Sequence, residues 1–481
     1  MHSFSRGRFT RRTLLMTSVV ALTGIGLAAC GAPAVPTKAP EAPKVADTAK
    51  PAEANAAAAK PAVAAQPAAA GAAKKTLNYW LGPDDANGVN NKKKWLEEQG
   101  VAAAVPTVTL EYGLTPGWPD FWSKLLIAVA SGTAPDVVKA KEAFTRQLAW
   151  KKSATNLDPY IQKSGLKPTD FVPKSWEQTV YKNSQYSIPL EPYVMSFCMN
   201  DDVYTKAGMV DSSGKPNAPS DWKEWREQNK ALQKALPAGG FAHQYYEYGT
   251  REWNLMFFNQ WLAAAGGKFW ADEAKTKIDI NSDAGIKAMQ FLLDMVEDGT
   301  SQPPDTAVAS DARFRPQYSG LIANWIQGPW AIGGFRNQAP NLKYTLSLIP
   351  KDQHFAHPAM VDGHAIPKGA KNIDEGWEFI RWFATPKIDL SYRTIQTGLP
   401  ALKESLTSEA ITKDAKLAFF AQLAGREDNV IRPFTEGWDE MAVAMSTELQ
   451  AGFFKQKSPK DALNAAKKVG EEIAAKARAE G

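Results

Sequence analysis

Cysteine is scarce in this chain. Cys30 and Cys198 are the two present in 481 residues. If Cys30 is consumed in processing, no intrachain disulfide is possible, even in an oxidising compartment. Cys198 lies in the apolar run 194–199, which reads as buried packing. The short patterns of several enzyme classes are also missing: there is no GxSxG, no HExxH and no Walker A sequence. Histidine numbers five. His354 and His357, with Asp362 and His364, are too loosely spaced to argue for a metal, and Pro358 opposes a helix carrying the pair. After residue 30 no stretch is apolar over the length of a bilayer, and no fixed-period repeat occurs.

What the chain does have begins at its start. Arg6, Arg8, Arg11 and Arg12 precede an apolar stretch over 14–27, followed by Leu27-Ala28-Ala29-Cys30. This order of basic, apolar and small residues is that of a secretory signal. Leu-Ala-Ala-Cys resembles the bacterial lipobox, which implies lipidation at Cys30 and removal of 1–29. Thr10-Arg11-Arg12-Thr13-Leu14-Leu15 also resembles a twin-arginine export signal. Residues 1–29 carry four arginines and no acids, so their removal takes the formal charge from +5 to +1. The basic balance therefore belongs to the export signal, and nucleic acid is not indicated. Residues 30–75 are Ala, Pro and Lys with few large apolar side chains. Such a segment cannot offset its chain entropy by burial and reads as an extended, disordered tether to the membrane.

About 405 residues remain, more than one core of roughly 250–300 residues holds, so two units are expected. Residues 76–81 read as a strand, 90–99 as a helix, 108–112 as a strand, 120–131 as a helix, and Val137-Val138 as the start of a third strand. That alternation predicts an α/β fold with a parallel sheet. The run 321–326, bounded by Gly320 and Gly328-Pro329, reads as a buried strand that stops at the proline and presents Trp330 beyond it. In open α/β sheets ligands lie where strands end, although Trp330, from this stretch alone, reads as a core residue.

Several short motifs occur in one order. SGTAPDVV at 131–138 is followed by Ser187-Ile188-Pro189, then Met199-Asn200-Asp201-Asp202-Val203-Tyr204 and Ala207-Gly208. Pro219-Ser220-Asp221-Trp222-Lys223-Glu224 comes next, then Gly266-Gly267 before Asp279-Ile280-Asn281-Ser282. Gly328-Pro329-Trp330, Lys371-Asn372 with Trp377-Glu378-Phe379-Ile380, and Gly398-Leu399-Pro400-Ala401 complete the series. This series, over 76–460, resembles the family 1 extracellular solute-binding proteins of ABC transporters, which include the maltose-binding proteins. The departures are Met199 in place of Tyr and Ser220-Asp221 in place of Thr-x.

The resemblance implies a two-lobed periplasmic-binding-protein fold of type II character, with hinge crossovers and a ligand cleft between the lobes. It places crossings near 189–195, near 328–330 and near Thr385-Pro386. Lobe one would then be 76–190 plus 330–385, and lobe two 191–329 plus 386–481.

A sugar has apolar faces and hydroxyl edges, so its site needs planar aromatics and charged or amide groups. The chain has sixteen Trp. Cleft positions implied by the resemblance are Trp80, Asp84, Asp85, Glu142, Glu191, Tyr193, Arg251, Trp253, Trp330, Asp362, Gly363, His364 and Trp438, with Lys139 and Lys141 beside them. Most have a packing alternative. Trp80 and Trp438 fit a core as well as a cleft, and Asp84 and Asp85 also suit a helix cap or Asx-turn. Lys139 to Glu142 also suit a solvated face. Trp118 follows Pro116-Gly117 in a loop within reach of the cleft.

The expectation is a monomeric, lipid-anchored, exported receptor that passes a carbohydrate to an ABC permease, without catalysis, cofactor or metal. Binding of glycerol phosphate or a glycerol phosphodiester is the alternative within the family, because Lys139, Lys141 and Arg251 suit a phosphate. A secreted glycoside-active enzyme is the alternative outside it.

Overall fold

A computed structural model describes residues 75–82, 86–105, 108–113, 118–245, 252–304 and 314–480. The export signal, Cys30 and the tether lie outside the described residues, as do Asp84, Asp85 and Arg251. The chain divides into two units, Met1–Ala70 and Gly71–Gly481, and the second holds everything that follows.

Twelve strands are described. They are β1 (Lys75–Trp80), β2 (Val108–Gly113), β3 (Val137–Lys141), β4 (Val180–Tyr181), β5 (Ser184–Gln185), β6 (Ile188–Val194), β7 (Ser196–Asn200), β8 (Phe241–Gln244), β9 (Ile322–Gln327), β10 (Tyr344–Ser347), β11 (His357–Ala365) and β12 (Asn429–Val430). The first sheet has six strands in the order β12-β11-β3-β1-β2, with β6 also paired to β11. Its β3-β1-β2 part is parallel, with helices Ala86–Glu98 and Trp118–Ala130 between the strands. β11 then runs antiparallel to both β3 and β6. The second sheet has four strands in the order β10-β7-β9-β8.

The two-residue period of a strand accounts for the layers. Leu77 and Tyr79 join one core on the first sheet while Trp80 joins the other, and Val137 and Val138 divide in the same way. In the second sheet Phe197 and Met199 face the largest core while Cys198 faces the opposite one. β9 is buried at every residue, as the apolar run 321–326 predicts, and its pairing ends before Gly328-Pro329.

Where the chain passes between the sheets is informative. β6 ends at Val194 and β7 begins at Ser196, so Met195 alone separates the sheets there. This passage falls at the end of the expected span 189–195. The other two differ from the expectation. After Trp330 the helix Ala331–Gln338 and β10 stay with the second sheet, where Ala331, Phe335 and Tyr344 share a core with Cys198, Ile322 and Trp325. The chain returns to the first sheet over 348–356. Beyond Thr385-Pro386 it does not leave that sheet: Ile388, Tyr392, Ala401 and Leu402 pack with Leu77 and Tyr79. It departs after β12, over 431–437, into the helices Trp438–Phe453 and Pro459–Glu480, which pack against helix Glu252–Ala264 and helix Asp283–Glu297 of the second layer. Apolar pairing along the sequence is no guide to these returns, because residues 386–402 bury side chains on a sheet whose β1, β2, β3 and β6 all lie before residue 195.

Candidate functional site

Strands β3, β6 and β11 carry a set of buried charged side chains. Lys139 Nζ lies 2.7 Å from Glu191 Oε2 and 3.4 Å from Asp362 Oδ2. Arg393 Nη1 lies 3.2 Å from the other Glu191 oxygen. The Tyr193 hydroxyl donates to Asp362 Oδ2 at 3.2 Å. Register explains the gathering: Asp362 stands opposite Lys141 on one side of β11 and opposite Glu191 on the other, so three strands deliver their charges to one spot.

A second set adjoins it through Asp362 and Lys141. Arg432 Nε donates to Glu142 Oε1 at 2.7 Å, and its Nη1 donates to Glu252 Oε2 at 2.8 Å. Lys141 Nζ is 3.7 Å from Glu252 Oε1 and makes no hydrogen bond, although the residue is buried. Its ammonium instead sits over rings, 4.0 Å from the centroid of Trp253, 4.7 Å from Trp118 and 5.8 Å from Phe144. Cation–π attraction of this kind contributes about 2 kcal/mol when desolvated.

The titration behaviour follows from this packing. Burial opposes the charge of Lys139, but Glu191, then Tyr392 and Asp362, reverse that and hold its pKa above the ordinary lysine value. Burial dominates at Lys141 and lowers its pKa despite Glu252. Burial would raise Glu191, yet Lys139 and Arg393 bring it below the usual carboxylate range. Asp362 moves up, because burial and the neighbouring Glu191 outweigh its lysines. Four acids, Glu142, Glu191, Glu252 and Asp362, thus face four cations, Lys139, Lys141, Arg393 and Arg432, among the described residues. Several of their atoms are buried without a hydrogen bond: Glu142 Oε2, Glu191 Oε1, Lys141 Nζ and both terminal nitrogens of Arg393.

Aromatic rings flank these charges. Tyr193, from the first sheet, meets Trp330, which follows the second, edge to face at 5.1 Å and 87°. Both are half-buried. Trp330 folds back over Gly328 so closely that a Cβ there would lie 1.9 Å from Cζ3 of the indole. Trp122 stacks on Phe144 at 4.4 Å and 13°, and Trp118 meets Phe121 edge-on at 5.5 Å. Trp118, Trp122 and Trp253 are also half-buried.

The structure therefore brings together Glu142, Glu191, Tyr193, Trp253, Trp330 and Asp362 of the expected set. Four others sit elsewhere, which corrects the expectation for them. Trp438 is fully buried in the largest core, with Arg432 over its ring. His364 is 1 % exposed, its Nε2 lies 2.7 Å from the Tyr79 hydroxyl, and it packs on Phe383. Burial lowers its pKa to about 3, so it is neutral at physiological pH. A Cβ on Gly363 would lie 2.0 Å from Ser187 Oγ, so this glycine serves close strand packing. Trp80 is 7 % exposed, packed edge-on to Phe121 under helix Trp118–Ala130.

Sequence reasoning missed Arg393, Arg432, Phe144 and Trp122. For Arg432 a signal existed: one arginine among apolar residues and a proline, in NVIRPF at 429–434. Nothing local marks Arg393, whose partner is some two hundred residues away.

A family model described as bacterial extracellular solute-binding protein matches residues 93–389. A binding protein of Brucella abortus (strain 2308) is 23 % identical over 356 residues, covering 74 % of this chain and 83 % of that one. Among solved structures, an ABC transporter solute-binding protein of Thermotoga lettingae bound with α-D-tagatose superposes with a TM-score of 0.72 at 20 % identity, covering 83 % of this chain and all of that one. UgpB of Mycobacterium tuberculosis in complex with glycerophosphocholine superposes with a TM-score of 0.71 at 18 % identity, covering 84 % and 99 %.

Proposed function

The chain belongs to the bacterial extracellular solute-binding proteins, and from that premise we propose that it is the carbohydrate receptor of an ABC importer. The chain is exported, lipidated at Cys30 and held to the membrane by the segment 30–75. Its ligand lies between two lobes, one built on the first sheet (75–194 with 357–430), the other on the second (196–347 with 438–480). Tyr193, Trp253, Trp330 and Trp118 offer ring faces to the sugar, and Glu142, Glu191, Asp362 and Lys141 take its hydroxyls. No group is assigned a catalytic role.

The observation that carries this reading is the balance of the site. Proteins of equal likeness in fold bind a neutral sugar in one case and a phosphodiester in the other, so likeness does not choose between them. The charges do. Each cation in the cluster faces an acid, so an anionic ligand would meet as much repulsion as attraction. A neutral polyol meets half-exposed rings and polar atoms whose hydrogen bonds are unmade. Micromolar binding needs about −8 kcal/mol. One aromatic contact gives about 0.5–1.5 kcal/mol beyond area, so several rings and charge-assisted hydrogen bonds are required together.

A thermal-shift screen of the full chain with mono- and oligosaccharides and with glycerol phosphodiesters tests the proposal. A sugar at about one hundred times its Kd should add about 2.7 kcal/mol of stability. Stabilisation by phosphodiesters alone would overturn the carbohydrate reading, and cleavage of an added oligosaccharide would replace a receptor by an enzyme. Export and anchoring are tested separately: Cys30→Ala should move the protein from the membrane to the soluble fraction.

A further inference from the structure

Arg432 has a position that ligand contact does not explain. It lies in the segment 431–437, the passage between the sheets that comes last in the chain, and is 2 % exposed. Its two hydrogen-bonded acids come from different layers. Glu142 opens helix Glu142–Trp150 directly after β3 of the first sheet. Glu252 opens helix Glu252–Ala264 in the core of the second. One guanidinium therefore joins the two halves at 2.7 and 2.8 Å, with Nη2 against Met256 Sδ at 3.8 Å. With its amide oxygen turned toward the helix, Gln147 of the first half accepts from the backbone N–H groups of Trp438 and Asp439 at 2.7 and 2.9 Å. Arg432 thus lies at one of several contacts between the halves, others being Arg336 with Asp414 and Tyr193 with Trp330.

We propose that Arg432 is a clasp: a positioning residue that holds the two halves closed by neutralising Glu142 and Glu252 together. This goes beyond the receptor reading and requires no particular ligand. Without the guanidinium, two buried carboxylates would face each other, with Asp439 close by and Lys141 and Arg146 as neighbouring cations. Opening lets water hydrate each acid, so removing Arg432 favours the open form. With all three charges removed the repulsion disappears, and closure should return. That reversal separates electrostatic clasping from mere packing.

Ile127 and Val443 are suited to report it, being 69 % and 49 % exposed on helices Trp118–Ala130 and Trp438–Phe453, one on each half. The experiment labels Ile127→Cys and Val443→Cys in the full chain carrying Cys30→Ala, and measures energy transfer without added ligand. Cys198 stays unlabelled, because burial pushes its thiol up to about 12. Arg432→Met and Glu252→Gln should each lower transfer, and Arg432→Met with Glu142→Gln and Glu252→Gln should restore it. Glu252→Gln covers the case in which Arg432→Met does not fold, since Glu142 still partners the arginine there. Unchanged transfer in both single variants, or no recovery in the triple variant, overturns the clasp. Failure of the carbohydrate reading would appear in the ligand screen and leave this measurement unaffected.

Discussion

Lys139→Met is the substitution that most directly tests the buried charge cluster. Lys139 is 5 % exposed and serves two carboxylates, Glu191 at 2.7 Å and Asp362 at 3.4 Å. After its removal Glu191 keeps Arg393 at 3.2 Å, whereas Asp362 keeps only the Tyr193 hydroxyl from this inner group. Breaking a buried pair by removing one partner costs about 3–5 kcal/mol. At roughly 2 °C per kcal/mol in a chain of this size, Tm should fall by about 6–10 °C. The pH dependence distinguishes this cause from lost packing. The pKa of Lys139 is raised by folding, so its contribution is whole below the ordinary lysine value and fades only as pH climbs through the higher folded one. That of Glu191 is depressed, so its contribution is whole above the ordinary carboxylate value and fades as pH drops through the lower folded one. Both are therefore complete at neutral pH. In the variant the acids are penalised while charged, and Asp362, already raised by burial, escapes the penalty by taking a proton. The stability gap should be widest near pH 7 and narrow toward about pH 4. Urea unfolding of the two proteins across that range measures it. Equal stability at neutral pH, or a gap that stays constant on acidification, would refute the argument.

Other expectations follow from single sites. Trp330→Ala should weaken binding of the sugar found in the thermal-shift screen by ~10–100-fold in calorimetry, with little change in Tm. Gly328→Ala should weaken it too, because the new Cβ displaces the indole that lies across the glycine. The Cys198 thiol should stay unreactive to a disulfide reagent in the folded protein and react once urea unfolds it. Burial, reinforced by Glu252, raises Asp439 to about 7. Its charge therefore costs stability as pH rises from the ordinary carboxylate value through about 7, and Asp439→Asn should flatten that slope in unfolding titrations.

Much of the scaffold could be read from local signals, and the structure supplies their causes. Asp136 of the SGTAPDVV motif accepts from the backbone N–H groups of Asn78, Lys371 and Asn372 at 2.8–2.9 Å. Two motifs far apart in the chain are therefore halves of one hydrogen-bonded junction. Asp221, in the segment PSDWKE, caps helix Trp222–Ala235 by accepting from Glu224 N at 2.8 Å, while Glu224 accepts from Ser220 N. That reciprocal cap is set by a few neighbouring residues, so it is legible without a fold. Trp330 was legible for a similar reason, since Gly328-Pro329 fixes where the strand must stop. The charged cluster was legible only in part. Beside Leu190 and Pro192, Glu191 reads as a loop acid, and Asp362 reads as a turn acid, whereas both lie inside strands, β6 and β11. Arg432 and Glu142 are 290 positions apart, and the register of β3, β6 and β11 brings Lys139, Glu191 and Asp362 together. His364 misled because a histidine beside an acid looks the same in sequence whether it faces a cleft or a tyrosine hydroxyl.

The single residue Met195 between β6 and β7 has a mechanical consequence. Two sheets joined by one fully buried side chain cannot drift apart at that point, as they could across a longer connector. Any swing of one half against the other has to pivot close to this methionine, and displacement grows with distance from it. Tyr193, two residues before it in β6, would travel less than the far rim of either half. The stretch of both sheets nearest Met195 is thus preset, and a swing of the halves leaves its geometry nearly unchanged.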